Sequence, residues 1–101
     1  MLVLLTRSPF QRQDYRRNLQ LAMTQPGSEV ILIQDAVLAL HKAPADYQEM
    51  VDQARVQGIN FYALAADLEA RGLDTKATYP GTRVIDYGEM VDLAVKHGKV
   101  L

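Results

Sequence analysis

The sequence predicts an α/β fold: a three-layer sandwich with a small, mostly parallel central sheet flanked by helices. Three observations predict it. Val30-Ile31-Leu32-Ile33 is a continuous apolar run rather than an alternating one, the pattern of a central parallel strand covered on both faces. Short apolar runs alternate with helical patterns along the whole chain, in the order β-α-β-α-α-β-α-β-α, which implies a parallel sheet with right-handed crossovers. The central run stops at the polar pair Gln34-Asp35 and passes into the helix-forming Ala36-Val37-Leu38-Ala39-Leu40. Strand-to-helix junctions of that kind are where α/β folds build their sites.

Each element has its own signal. Residues 2–6 form a short apolar strand. Ser8, Pro9 and Gln11 then stand at the cap, first and third positions of a helix start, and that helix is expected to run to about Thr24. Its buried stripe is Tyr15, Leu19, Ala22 and Met23, with Arg12, Arg16 and Arg17 away from it. Pro26-Gly27 ends the element. Residues 29–34 are the second strand, and residues 35–40 a short helix. Pro44 starts another helix with Tyr47, Met50, Val51 and Ala54 on one face, and Gly58 stops it. Residues 59–64 are the third strand, followed by a short helix near residues 66–71. Residues 73–82 read as a long polar loop, suited either to mobility or to a partner's cover. Residues 83–85 are the fourth strand. Asp86 and Glu89 form a capping box for a last helix with Met90, Leu93, Ala94 and His97 inward. Gly98 ends it, and Val100-Leu101 is an apolar terminus suited to a small added strand or to a neighbour.

The 101 residues suit a single domain spanning 1–101, small enough that a partner surface would help its core. Zero cysteine removes disulfides, thiolate metal sites and thiol nucleophiles together. A net charge of −1 supplies no field for nucleic acid or an anionic membrane. The apolar start ends at Arg7, too short for a signal core or a span, so a cytoplasmic protein is expected.

The strand ends gather Arg7, Ser8, Gln34, Asp35, Asp67 and Asp86 on one edge, the usual ligand edge of an open α/β sheet. Each has a plainer reading. Ser8 and Asp86 suit helix caps, Asp67 suits a first helical turn, Asp35 could cap its own helix, and Arg7 could be a solvated charge or pair with Asp35. No glycine-rich turn follows a strand, so no phosphate loop is expected. His41 and His97 lack ligand spacing and an orienting partner in sequence. The arginine face of the first helix is read as solvated rather than RNA-binding. Tyr79, in the long loop, is the aromatic residue best placed for an interface. No catalytic residue, cofactor or metal is assigned. The candidate rim or interface is Arg7, Ser8, Gln34, Asp35 and Tyr79.

Four blocks in order resemble the DsrH/TusB family. Arg7-Ser8-Pro9-Phe10 after a short strand is similar to its R-S-P-aromatic opening. The segment from Ile31 to Leu40, ILIQDAVLAL, resembles L-L-I/L-Q-D-G-V. The segment from Phe61 to Leu73 is similar to V-Y-A-L-x-x-D-L-x-A-R-G-L. The segment from Ile85 to His97 resembles D-Y-x-x-F-V-x-L-x-V-K-H. The resemblance implies a DsrE-like (flavodoxin-like) sandwich and a subunit of a sulfur relay. Such subunits assemble with paralogous DsrE- and DsrF-like (TusD- and TusC-like) chains into a heterohexamer. That complex passes persulfide sulfur toward 2-thiolation of a tRNA wobble uridine, or serves sulfur oxidation. Three departures stand out: no cysteine, Ala36 where glycine is common, and a Gly98-Lys99-Val100-Leu101 end where an aromatic residue is usual.

A chain without a thiol cannot carry the persulfide, so the expected role is a non-catalytic subunit. A homo-oligomer of the isolated chain is left open, and no nucleic-acid or membrane contact is expected. The alternative is a stand-alone small-ligand binder or enzyme using the rim around Asp35, with Arg7 as its polar partner. A receiver-like signalling domain would need clustered carboxylates after the first strand, and Thr6-Arg7-Ser8 offers none.

Overall fold

Strands β1 (Leu2–Leu5), β2 (Glu29–Leu32), β3 (Asn60–Leu64) and β4 (Thr82–Ile85) lie side by side in chain order, all parallel. The structure is a computed structural model that describes residues 1–10, 14–75, 81–98 and 100–101. Between the strands run α1 (Tyr15–Met23), a 3₁₀ helix (Gln34–Leu40), α2 (Ala45–Val56) and α3 (Ala65–Ala70), and α4 (Tyr87–His97) follows β4. Every residue of β2 is buried, as its unbroken apolar run requires of an inner strand.

The layers follow from the direction in which the chain crosses the sheet. From β1 to β4 each connection steps the same way, so right-handed crossovers keep their helices on one face. There Val3, Leu5, Val30, Leu32, Phe61 and Ala63 pack against buried residues of α1, the 3₁₀ helix, α2 and α3. After β4 the chain turns back. Helix α4 crosses the opposite face, over Leu2, Ile31 and Ile85, using Met90, Leu93 and Ala94. It delivers Val100 and Leu101 to the outer edge of β1. Val100 bridges Leu2 in parallel, Leu101 N–H donates to the Leu2 carbonyl at 2.8 Å, and Leu4 N–H donates to the Leu101 carbonyl at 3.0 Å. The terminus thus adds a fifth, very short strand, and the winding reverses between it and β1.

Local chemistry explains most of the boundaries. Asp86 accepts from Glu89 N–H at 2.8 Å while Glu89 Oε1 accepts from Asp86 N–H at 3.4 Å, the reciprocal box expected at the start of α4. Gly98 closes that helix at φ 66°, a left-handed conformation that glycine adopts without steric cost. Helices α1 and α2 meet through Tyr15 and Tyr47, edge to face with centroids 4.9 Å apart.

Two elements differ from the sequence reading. Helix α1 begins at Tyr15, not after Ser8. Ser8 is buried and its Oγ accepts Phe10 N–H at 3.3 Å, so the Ser-Pro signal makes a local turn; Gln11 and Arg12 lie outside the described residues. The helix expected over residues 35–40 is a 3₁₀ helix of 7 residues. Its three-residue repeat stacks Ala36 on Ala39 and sets both small side chains against the core. Arg16 lies over the Tyr15 ring at 5.7 Å and pairs with Asp46 of α2 at 3.1 Å.

Candidate functional site

The strand-end edge carries a charge network centred on Arg71, just beyond α3. Its Nη2 and Nε reach Asp35 Oδ1 at 2.9 and 3.1 Å. Its Nη1 donates to the Asp67 carbonyl at 3.1 Å and lies 3.6 Å from that residue's carboxylate. Asp67 Oδ2 in turn accepts Gln34 N–H at 2.7 Å. Gln34 needs that anchor. It has φ 51°, the one left-handed non-glycine among the described residues, and it turns the chain from β2 into the 3₁₀ helix.

Sequence reading placed Gln34, Asp35 and Asp67 together, and the structure does bring them together. It does not give Asp35 to Arg7. Helix α3 packs on the 3₁₀ helix, which puts Arg71, a residue that sequence reading passed over, within reach of Asp35. Nor does Asp35 cap: the cap position is Ile33 and no side chain bonds there. Arg7 instead lines a cleft of about 70 Å³ with Thr6, Asp14, Tyr15 and Asn18, where the winding reverses beside β1. Ser8 holds its turn at the same end. Tyr79 lies outside the described residues.

At the opposite end of the sheet a second polar cluster surrounds Glu29. Its side chain is 5% exposed. One carboxylate oxygen, Oε1, accepts from Lys96 Nζ at 3.0 Å and His97 Nε2 at 2.8 Å. The other, Oε2, accepts from Asn60 Nδ2 at 3.3 Å and from the Tyr62 hydroxyl. Burial pushes the Glu29 carboxyl up, but the hydrogen bonds from Tyr62, His97, Lys96 and Asn60 outweigh it and hold the group at about 2. Burial, then the hydrogen bond and negative charge of Glu29, push the Tyr62 phenol up to about 12. Each oxygen has two donors, so the cluster fastens the end of α4 to β2 and β3.

The charged groups of both clusters are already paired with one another. The chain has no thiol, and the rim acids are bound to Arg71 or to a backbone N–H. His97 is spent on Glu29, and His41 is exposed at the end of the 3₁₀ helix. Among the described residues no three His, Cys, Asp or Glu groups are placed to hold a metal ion. The rim presents a charge-paired edge.

Comparison with known proteins agrees with this architecture. The fold is shared with solved α/β structures. The ychN protein of E. coli superimposes with a TM-score of 0.84 at 19% identity, covering 99% of this chain and 95% of that one. MTH1491 of Methanobacterium thermoautotrophicum gives 0.74 at 18% over the same shares. Identity that low shows the fold alone. The family comes from sequence. The family model described as DsrH like protein matches residues 7–100. Protein TusB of Photorhabdus laumondii is 36% identical over 97 residues, 96% of this chain and 94% of that protein. Over the same shares, Protein TusB of Serratia proteamaculans is 39% identical and that of Escherichia coli K12 38%. The chain belongs to the DsrH-like family, and that membership supports a place as a sulfur-relay subunit working with other subunits.

Proposed function

We propose that this chain is a non-catalytic subunit of a cytoplasmic sulfur relay, holding a cysteine-bearing paralogue in the geometry its persulfide chemistry needs. The observation that carries the reading is the absence of any cysteine in a chain whose residues 7–100 match the family model. Persulfide transfer runs through a thiolate, so the sulfur must ride on another chain. The partners are DsrE- and DsrF-like (TusD- and TusC-like) subunits in a heterohexamer. The TusB relatives draw the reading toward 2-thiolation of a tRNA wobble uridine rather than sulfur oxidation. The rim of Arg7, Ser8, Gln34, Asp35 and Tyr79 is its contact edge in that assembly.

The paired rim supports this over a stand-alone ligand binder, because Asp35 and Asp67 are already bound to Arg71 and to the Gln34 N–H. Deletion of the gene, followed by mass spectrometry of digested tRNA, tests it. Loss of 2-thiouridine, restored by the intact gene, is expected. Unchanged 2-thiouridine would remove the thiolation role.

A further inference from the structure

Gln34 is an exception within its own chain. Gly27, Gly58, Gly72, Gly81 and Gly98 take φ values from 66° to 89°, and Gln34, at φ 51°, is the one residue with a Cβ that joins them among the described residues. That conformation crowds a Cβ, and glycine escapes the penalty. Asn and Asp offset part of it, because their short side chains bond to the nearby backbone. Gln34 makes no such bond. Its side chain is exposed, and its carboxamide has no hydrogen-bond partner among the described residues. The surroundings hold the conformation all the same. Gln34 N–H donates to Asp67 Oδ2 at 2.7 Å, and Arg71 lies 3.6 Å from the Asp67 carboxylate. Before it, Ile33 N–H donates to the Leu5 carbonyl at 2.9 Å; after it, Ala36 is buried in the core. A strained backbone fixed on both sides of an exposed, unbonded side chain points to a use outside the chain's own packing.

The groups beside Gln34 select what it meets. Asp35 and Asp67 share Arg71, an acidic balance that disfavours an anion, while the pairing with Arg71 weakens the pull on a cation. A neutral hydrogen-bonding group fits best. The carboxamide offers N–H donors and a C=O acceptor, the same set as a main-chain peptide group, so the two can exchange both bonds. We infer that the strained backbone of Gln34 holds its carboxamide out to a main-chain peptide group in an exposed loop of a neighbouring relay subunit. This rests on the relay-subunit reading and adds a specificity-determining residue and the chemistry it meets.

The test titrates the purified chain into the DsrE- and DsrF-like subunits of the same genome and compares two variants with the native protein. Gln34→Gly removes the strain and the carboxamide together. Gln34→Met keeps the length and the unbranched stem but has no donor. Each chain is first melted alone; the glycine variant should melt at or above the native temperature and the methionine variant close to it. Both are expected to bind about tenfold more weakly, for the loss of the hydrogen-bonded pair. A residue with only a structural part would give the opposite order, the glycine variant binding at least as well as the native chain. That result, or native-like binding by the methionine variant, would overturn the inference and leave the subunit reading intact. Hydrogen exchange of the complex locates the contact. A partner-loop amide protected by the native chain and released with Gln34→Met is expected, and its absence would overturn the main-chain assignment. Failure of the native chain to bind at all would overturn the subunit reading, and the inference with it.

Discussion

Glu29 opens a central strand as a carboxylate with four donors aimed at it, and its acidity makes a stability statement. Its folded-state pKa, about 2, lies below the ordinary 4.5. The stabilisation is therefore complete above about pH 4.5 and is lost as pH falls toward 2, an effect on the order of 3 kcal/mol. Glu29→Gln keeps the shape but loses the charge that Lys96 and His97 need. Urea unfolding at pH 7 is expected to show a loss of about 2–3 kcal/mol. Across pH 4.5 to 2 the variant's stability should fall less than that of the native protein. Tyr62 works at the other end of the scale. Its pKa is raised to about 12, so its contribution is whole below pH 10 and fades as pH rises through 12. Ultraviolet titration should show a late-ionising tyrosine that Tyr62→Phe removes. The inward side of His97 was legible, because the spacing of Met90, Leu93 and Ala94 marks the buried face of α4. Its partner was not. Glu29 is 68 residues away, and only the strand register and the return of α4 bring the two together.

At the level of elements, the β2-to-3₁₀ junction shows what pattern reading captures and what it misses. A continuous apolar run ending at Gln34-Asp35 announces a turn, and one is there. That the turn is left-handed, held by Asp67 and braced by Arg71, depends on α3 folding back from 33 residues further on. Gln34→Gly should be neutral or stabilising by up to about 1 kcal/mol, since glycine accepts positive φ freely. Gln34→Val should cost about 1–2 kcal/mol, because a β-branched residue resists that conformation. Thermal melts of the two variants check the pair. Arg71→Ala should cost less than about 1 kcal/mol, as befits partly exposed ion pairs. The Asp86-Glu89 box was readable because both its bonds close within four residues. The Ser8-Pro9 start was misread because the same residues make a turn when the chain bends before Tyr15.

The whole molecule is a sheet wound one way across four strands and then reversed; among the described residues one face carries most of the helices and the other carries α4 alone. Strand alternation made the parallel sheet legible. The reversal was visible only as an apolar terminus, because a two-residue strand carries almost no pattern. That asymmetry, and the lack of a thiol, fit the proposed role of a subunit that holds another chain. The decisive measurement is the rate at which labelled persulfide sulfur on the cysteine-bearing partner passes to its acceptor protein, with and without this chain. The account predicts a rate that falls at least tenfold without the chain and recovers when the folded chain is added back. A rate unchanged by its removal would contradict it.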